Sequence, residues 1–165
     1  MTQQILWAPW RIKYLHQKSK GCLFCKIAKS RKDKQNFLIK RGNYSFSVLN
    51  IYPYNNGHAM LSPYRHVSDL NKLNKEEILD LLDNLKELKY TLEGILKPQG
   101  FNIGLNLGKV AGAGFPGHLH LHVVPRWNGD TNFMPVISKT KVISESLSEL
   151  YKKIKDVYKK RNRRV

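Results

Sequence analysis

His118-Leu-His-Leu-His-Val-Val124 is the stretch from which the rest of the chain can be read. In an extended chain alternate side chains share a face, so His118, His120 and His122 point one way. Leu119, Leu121 and Val123 point the other way, into a core. Three imidazoles in a row on one face are poor core material, because each carries ring nitrogens that need partners. The stretch therefore reads as a strand with one buried face and one chemical face.

Working outward, a glycine-rich connection from Gly108 to Gly117 joins this strand to another candidate, Phe101 to Leu107. Two further strands are predicted from Tyr44 to Asn50 and from His58 to Ser62. Pro53, Asn55, Asn56 and Gly57 supply the turn between them, and Asn-Gly is a strong hairpin cue. The clearest helix begins at Asn74, which has capping-box spacing to Glu77. Ile78, Leu81, Leu82, Leu85, Leu88 and Leu92 then recur at helical intervals as one apolar face, and Pro98 lies beyond the end. Leu147, Leu150, Ile154 and Val157 mark a second, basic helix, while residues 29–35 read as a polar loop. The whole predicts an α+β fold, an antiparallel sheet packed by one long helix, as a single domain over residues 1–165. Residues 1–20 form an N-terminal arm anchored by Trp7, Trp10 and Tyr14, which are costly to expose and should pack on the domain or on a second subunit. Residues 139–165 form a basic C-terminal segment.

The formal net charge of +17 is concentrated at the two ends. Residues 1–41 hold 11 Lys/Arg against Asp33 alone, and residues 139–165 hold 10 against three acids, whereas the middle is balanced. Such a surface concentrates anions such as nucleotides and favours nonspecific nucleic-acid binding. No interleaved aromatic RNA-binding motif accompanies it, so nucleic acid is not expected as a specific partner. A bilayer span needs about 20 apolar residues, and no stretch approaches that. With no apolar signal-peptide run near the N-terminus, a cytoplasmic protein is expected.

Two chemistries suit the histidine array. Neighbouring imidazoles can share a metal. Alternatively one neutral imidazole attacks phosphorus, since an ordinary pKa of about 6.5 leaves it largely unprotonated at neutral pH. Gly108, Gly112, Gly114 and Gly117 would then let backbone N–H groups approach an anion. Cys22-Leu-Phe-Cys25 is a separate signal, open between a metal pair, a redox pair and chance; the βαβ context of thioredoxin-like redox use is absent.

The triad stretch resembles the motif of the histidine-triad (HIT) family, His-φ-His-φ-His-φ-φ with φ apolar. Leu6-Trp-Ala-Pro-Trp-Arg11, Leu49-Asn-Ile-Tyr-Pro-Tyr-Asn-Asn-Gly-His58, Gly100-Phe-Asn-Ile-Gly-Leu-Asn106, Val124-Pro-Arg-Trp127 and Asp130-Thr-Asn-Phe133 are similar, in order, to the diadenosine tetraphosphate phosphorylase/hydrolase branch. The resemblance implies a HIT-like fold, a homodimer, and cleavage of dinucleoside polyphosphates through a nucleotidyl-histidine. By the same resemblance His120 is the nucleophile and His122 binds the α-phosphate. Asn50 contacts the ribose, His58 borders the site and Asn106 contacts the phosphates. Trp127 lies near a subunit boundary and, with Gly112 and Gly114, joins the nucleotide-binding set. Zinc-containing members imply a structural zinc on Cys22, Cys25, His66 and His118. His16 is left as a solvated histidine.

One departure bears on the reaction. Many relatives place Gln, Ser or Thr four residues before the first triad histidine, where this chain has Gly114. Backbone donors there would leave room for a second anion, which favours phosphorolysis over hydrolysis. The other readings, a metal-dependent phosphohydrolase using His118 and His120 or a basic nucleic-acid-binding protein, predict chelator sensitivity and salt-sensitive binding respectively.

Overall fold

The computed structural model describes residues 21–130 and 143–162. The aromatic arm, His16, and Thr131, Asn132 and Phe133 of the block opened by Asp130 lie outside the described residues. Five strands form one antiparallel sheet: β1 (Leu38–Arg41), β2 (Ser45–Leu49), β3 (Ala59–Pro63), β4 (Gly100–Leu105) and β5 (Leu121–Arg126), in the order β1-β2-β3-β5-β4. Among the described residues three α-helices accompany it: α1 (Leu23–Lys29), α2 (Lys75–Leu96) and α3 (Leu147–Asn162). The α+β expectation holds, with the difference that α3 shares one face of the sheet with α2 while α1 takes the other.

Strand alternation sorts the core into two layers. Ile39, Leu49, Ala59, Leu61 and Val123 turn to α2 and α3, where Leu88, Leu92, Leu150 and Ile154 meet them. Leu38, Phe46, Val48 and Met60 turn the opposite way, against Phe24 and Ile27 of α1. His122 pairs with Met60 across the β3–β5 ladder and with Gly104 across the β4–β5 ladder, so it belongs to the α1 face.

Helix α2 starts at the expected cap. The Asn74 side chain accepts from the Glu77 amide (2.8 Å), and the Glu77 carboxylate accepts from the Asn74 amide (3.0 Å). It ends at Lys97, held in the left-handed region (φ 48°) ahead of Pro98. Its buried stripe differs from the predicted one. Ile78 and Leu82 are 41% and 45% exposed, whereas Glu77, Asn84 and Thr91 are buried. Each of these three polar residues has a hydrogen-bonded partner: Glu77 accepts from Arg65 (2.6 and 2.8 Å), the Asn84 Nδ2 donates to the Ser45 hydroxyl (3.3 Å) while its Oδ1 has no partner among the described residues, and the Thr91 hydroxyl donates to the Glu87 carbonyl (2.8 Å). Hydrogen-bonded polar groups can occupy a core stripe, which shifts it away from the purely apolar count.

The strand predicted from His118 begins only at Leu121, and Pro63 explains the delay. The β3–β5 register pairs Leu61 with Leu121, and its continuation sets Pro63 opposite Leu119. Proline has no amide to donate to that ladder. The Leu119 carbonyl takes the Ser62 hydroxyl instead (2.9 Å), and the Leu119 amide donates to the Val67 carbonyl (2.6 Å). Strand β4 likewise stops at Leu105, short of the predicted Leu107. The Asn56-Gly57 turn closes only the end of a longer connection from Asn50 to His58, with Gly57 at φ 77°.

Candidate active site and metal centre

The three histidines remain on the α1 side of the sheet, and each meets different partners. His120 is buried, and its Nδ1 lies 2.8 Å from the carbonyl oxygen of His118. A carbonyl only accepts, so Nδ1 carries the proton and Nε2 keeps its lone pair. Burial lowers the His120 pKa, partly offset by that carbonyl, which keeps the ring neutral at physiological pH.

His122 lies beside it, with ring centroids 5.0 Å apart. Its Nδ1 is 2.9 Å from Nε2 of His58. The Tyr54 amide donates to His58 Nδ1 (3.1 Å), and the Asn50 side-chain amide approaches the same atom at 3.3 Å. An accepting Nδ1 puts the His58 proton on Nε2, which donates to His122. His122 in turn carries its proton on Nε2. His58 is pushed down to about 3, first by burial and then by His122 and His120, so it does not compete for a proton. The Asn50 carbonyl oxygen accepts from the Tyr52 amide (2.9 Å), which fixes the direction of its amide. The chain Tyr54–His58–His122 is thus a polarised relay ending in a donor next to a lone pair.

Asn106 lies just past the end of β4 and is half-buried. Gly112, at φ 87°, is exposed, and Gly114 is half-buried in the same connection. Trp127 goes elsewhere. It follows the far end of β5, lining a cleft of about 370 Å³ with Asn55, Asn56, Leu96, Asn128 and Asp130. Within one chain it is not brought to the histidines.

His118 turns away from His120 toward the cysteines. Its Nδ1 lies 3.2 Å from Cys22 Sγ, 3.5 Å from Cys25 Sγ and 3.3 Å from His66 Nδ1, while Cys25 Sγ is 3.3 Å from His66 Nδ1. All four ligand atoms lie within 4.8 Å of one another, a set that could hold a metal ion. His118 Nε2 donates to the Pro63 carbonyl (3.0 Å), which leaves the Nδ1 lone pair aimed at the cluster. The shared-metal reading of His118 and His120 finds no counterpart among the described residues: the group of ligand atoms that could hold a metal includes His118 with the two cysteines and His66, and not His120.

Three contributors carried no sequence signal of their own. Phe24 lies between the cysteines and stacks on His120 (4.7 Å, 27°). Tyr54 supplies its backbone amide and stacks on His58 (4.6 Å). Pro63 ends a ladder and accepts from His118. Backbone groups leave no trace in residue chemistry; the apolar residue inside Cys-x-x-Cys was the one readable hint.

Residues 31–129 match the HIT domain, and the chain belongs to the histidine-triad family. It is 39% identical over 156 residues to an AP-4-A phosphorylase of Mycobacterium tuberculosis, covering 88% of this chain and 80% of that protein. It is 31% identical over 90 residues to the asymmetrical bis(5'-nucleosyl)-tetraphosphatase of Schizosaccharomyces pombe, covering 54% of this chain and 49% of that one. Among solved structures, a Zn-bound histidine triad family protein of Mycobacterium smegmatis superposes with a TM-score of 0.68 at 25% identity, over 88% of this chain and 98% of that chain.

Proposed function

We propose that this chain is an enzyme that cleaves dinucleoside polyphosphates, with diadenosine tetraphosphate as substrate and inorganic phosphate as the second nucleophile. The observation that carries the reading is the bond from His120 Nδ1 to the His118 carbonyl, which commits Nε2 as a nucleophile. The Nε2 lone pair forms a P–N bond to the α-phosphorus while the P–O bond to the β-phosphate breaks, and ATP leaves with the electron pair. A phosphate oxygen then bonds to the same phosphorus, the P–N electrons return to Nε2, and ADP departs. His122 Nε2–H donates to a phosphate oxygen as its charge grows, with His58 holding the tautomer. Asn50 meets the ribose, and Asn106 with the backbone at Gly112 and Gly114 meets the phosphates. Trp127, at the outer end of β5, serves a nucleotide only across a subunit boundary.

The metal is zinc. Tetrahedral bonds of about 2.3 Å to sulfur and about 2.0 Å to nitrogen set sulfur–nitrogen edges of about 3.5 Å and nitrogen–nitrogen edges of about 3.3 Å. The separations above fit those edges. With four protein ligands the ion has no open position for substrate, so its part is structural. The same reading makes residues 1–165 one domain and the protein a homodimer. Ile78, Leu79, Leu82 and Ile103 are each at least 41% exposed, and β4 is a sheet edge with no partner strand among the described residues. It also puts the protein in the cytoplasm, where its two thiols stay reduced. No helix among the described residues is long and apolar enough to cross a membrane.

The test is to follow products from diadenosine tetraphosphate by chromatography while phosphate is titrated from zero to millimolar levels. ATP and ADP, at a rate that rises with phosphate, are expected. A rate independent of phosphate, with AMP and ATP throughout, makes water the nucleophile, and no cleavage at all overturns the reading.

A further inference from the structure

Helix α1 has only seven residues, no side-chain cap at Cys22 and no acid in its first turn. A helix this short is unstable by itself, so its place depends on what ties it down. Two ties are packing and cation contacts: Phe24 and Ile27 are buried, and Arg41 donates to the carbonyls of Ala28 (2.9 Å) and Ser30 (2.6 Å). A third is the pair of metal-ligating cysteines, which brackets Phe24 in the sequence.

Phe24 is 1% exposed, and its ring reaches three functional groups at once. It stacks on His120 at 4.7 Å and 27°, meets His118 at 5.4 Å, and stands edge-on to Phe115 of the glycine-rich connection at 6.1 Å and 85°. The bond from His120 Nδ1 to the His118 carbonyl is a pivot; by itself it does not set the plane of the imidazole. A flat ring packed against one face does, and with it the direction of the Nε2 lone pair.

We infer that Phe24 is a positioning residue for His120, and that metal bound at Cys22, Cys25, His66 and His118 holds it in place. The inference rests on the proposed nucleophile and metal. It makes the metal centre an orienting clamp on the reacting group, in addition to a staple for the fold. Misplacing a nucleophile by about 1 Å can cost about 100-fold in rate.

The experiment compares full-length wild type, wild type stripped of metal by a chelator, and Phe24→Leu, which keeps apolar volume and removes the flat ring. The readouts are zinc per chain, the melting temperature, KM and kcat, the single-turnover rate of nucleotidyl-His120 formation, and the NMR shift of the His120 C2 proton, which the Phe24 ring current displaces. Phe24→Leu is expected to bind zinc as wild type does, with KM within about threefold. Its adduct formation should be about 10- to 100-fold slower, and the ring-current displacement of His120 should be lost. Metal-free wild type should show the same two changes. A merely structural role would lower the melting temperature and leave the KM-to-kcat split alone; in Phe24→Leu the displacement goes with the ring whatever its role, so the shift is diagnostic in metal-free wild type, where the ring is still present. Wild-type adduct formation in folded Phe24→Leu overturns the positioning role. An unchanged His120 shift in folded, metal-free protein overturns the clamp. Should Phe24→Leu fail to fold, metal removal still decides. If wild type forms no adduct, the proposed function is what fails, and the His120 shift in folded, metal-free wild type still decides whether the metal holds Phe24 against His120.

Discussion

His58 offers a test of the site's electrostatics that needs no substrate. Its pKa is held at about 3 against an ordinary value of 6.5, through burial first and then the neighbouring His122 and His120. The unfolded chain restores the ordinary value. Between pH 6.5 and 3 the unfolded state therefore binds a proton that the folded state refuses, and stability rises with pH across that window. The contribution is whole above 6.5 and is lost as pH falls. Linkage makes the loss about 2 kcal/mol at pH 5 and about 3 kcal/mol at pH 4. His118 and His120 are also lowered by burial and act in the same direction, so the His58 part must be obtained by difference. His58→Phe keeps a flat ring against Tyr54 and cannot titrate. It should be less stable than wild type at pH 8 by about 1–3 kcal/mol, because the Tyr54 amide and His122 lose their partner. Urea unfolding at pH 5 to 8, with the metal site saturated, should then show wild type losing about 2 kcal/mol more than the variant between pH 8 and 5. Parallel curves would mean that His58 takes its proton at an ordinary pH, and the tautomer relay built on it would be wrong.

Replacing His120 with Ala or Asn should lower turnover by about three orders of magnitude or more in a folded protein, and the wild type should yield a phosphoramidate on His120 by mass spectrometry. Metal analysis should find about one zinc per chain, lost in Cys22→Ser and Cys25→Ser with a lower melting temperature; a metal-free wild type with ordered thiols contradicts this. Gly57→Ala places a Cβ at 2.5 Å from Leu96 Cδ1 and 3.0 Å from Pro125 Cγ at φ 77°, so denaturant unfolding should show a loss of roughly 2–4 kcal/mol. Gly94→Ala, in exposed helix with nothing within 4 Å, should instead gain up to about 1 kcal/mol. Because burial lowers the His120 pKa, the acid limb of the rate profile should fall below pH 6.5.

What the sequence made legible follows how far each signal reaches along the chain. The period-two histidines and the capping box at Asn74 and Glu77 are local, and both appear in the structure. The ligand set Cys22, Cys25, His66 and His118 spans nearly a hundred residues, and only the family resemblance joined it. Ile78 and Leu82 were misread because the partners that let Glu77 and Asn84 sit inside are Arg65 and Ser45, on other elements. Strand β1 has four residues and α1 seven, too few for a period to show, yet α1 carries Phe24 into the site. Residues 1–20 and 131–142, which hold part of the family-like blocks, lie outside the described residues.

Three identical side chains at equal spacing acquire three surroundings because both ladders flanking them end early. Had β3 offered an amide at residue 63, Leu119 would stay in register and His118 would stand on the strand face like His122. Pro63 withholds that amide, the backbone turns to Val67, and His118 can direct Nδ1 to the thiols while its Nε2 donates to the Pro63 carbonyl. The β4–β5 register, continued, would set residue 108 opposite His118, but β4 stops at Leu105. The His118 carbonyl is thereby left to accept from His120 Nδ1, the bond that fixes the tautomer. Only His122 remains inside both ladders, at Met60 and Gly104, and it is the histidine whose partner, His58, comes from the neighbouring strand end. The proline at the end of β3 and the short fourth strand thus divide one repeated residue between a cluster that could hold a metal ion, a lone pair and a donor.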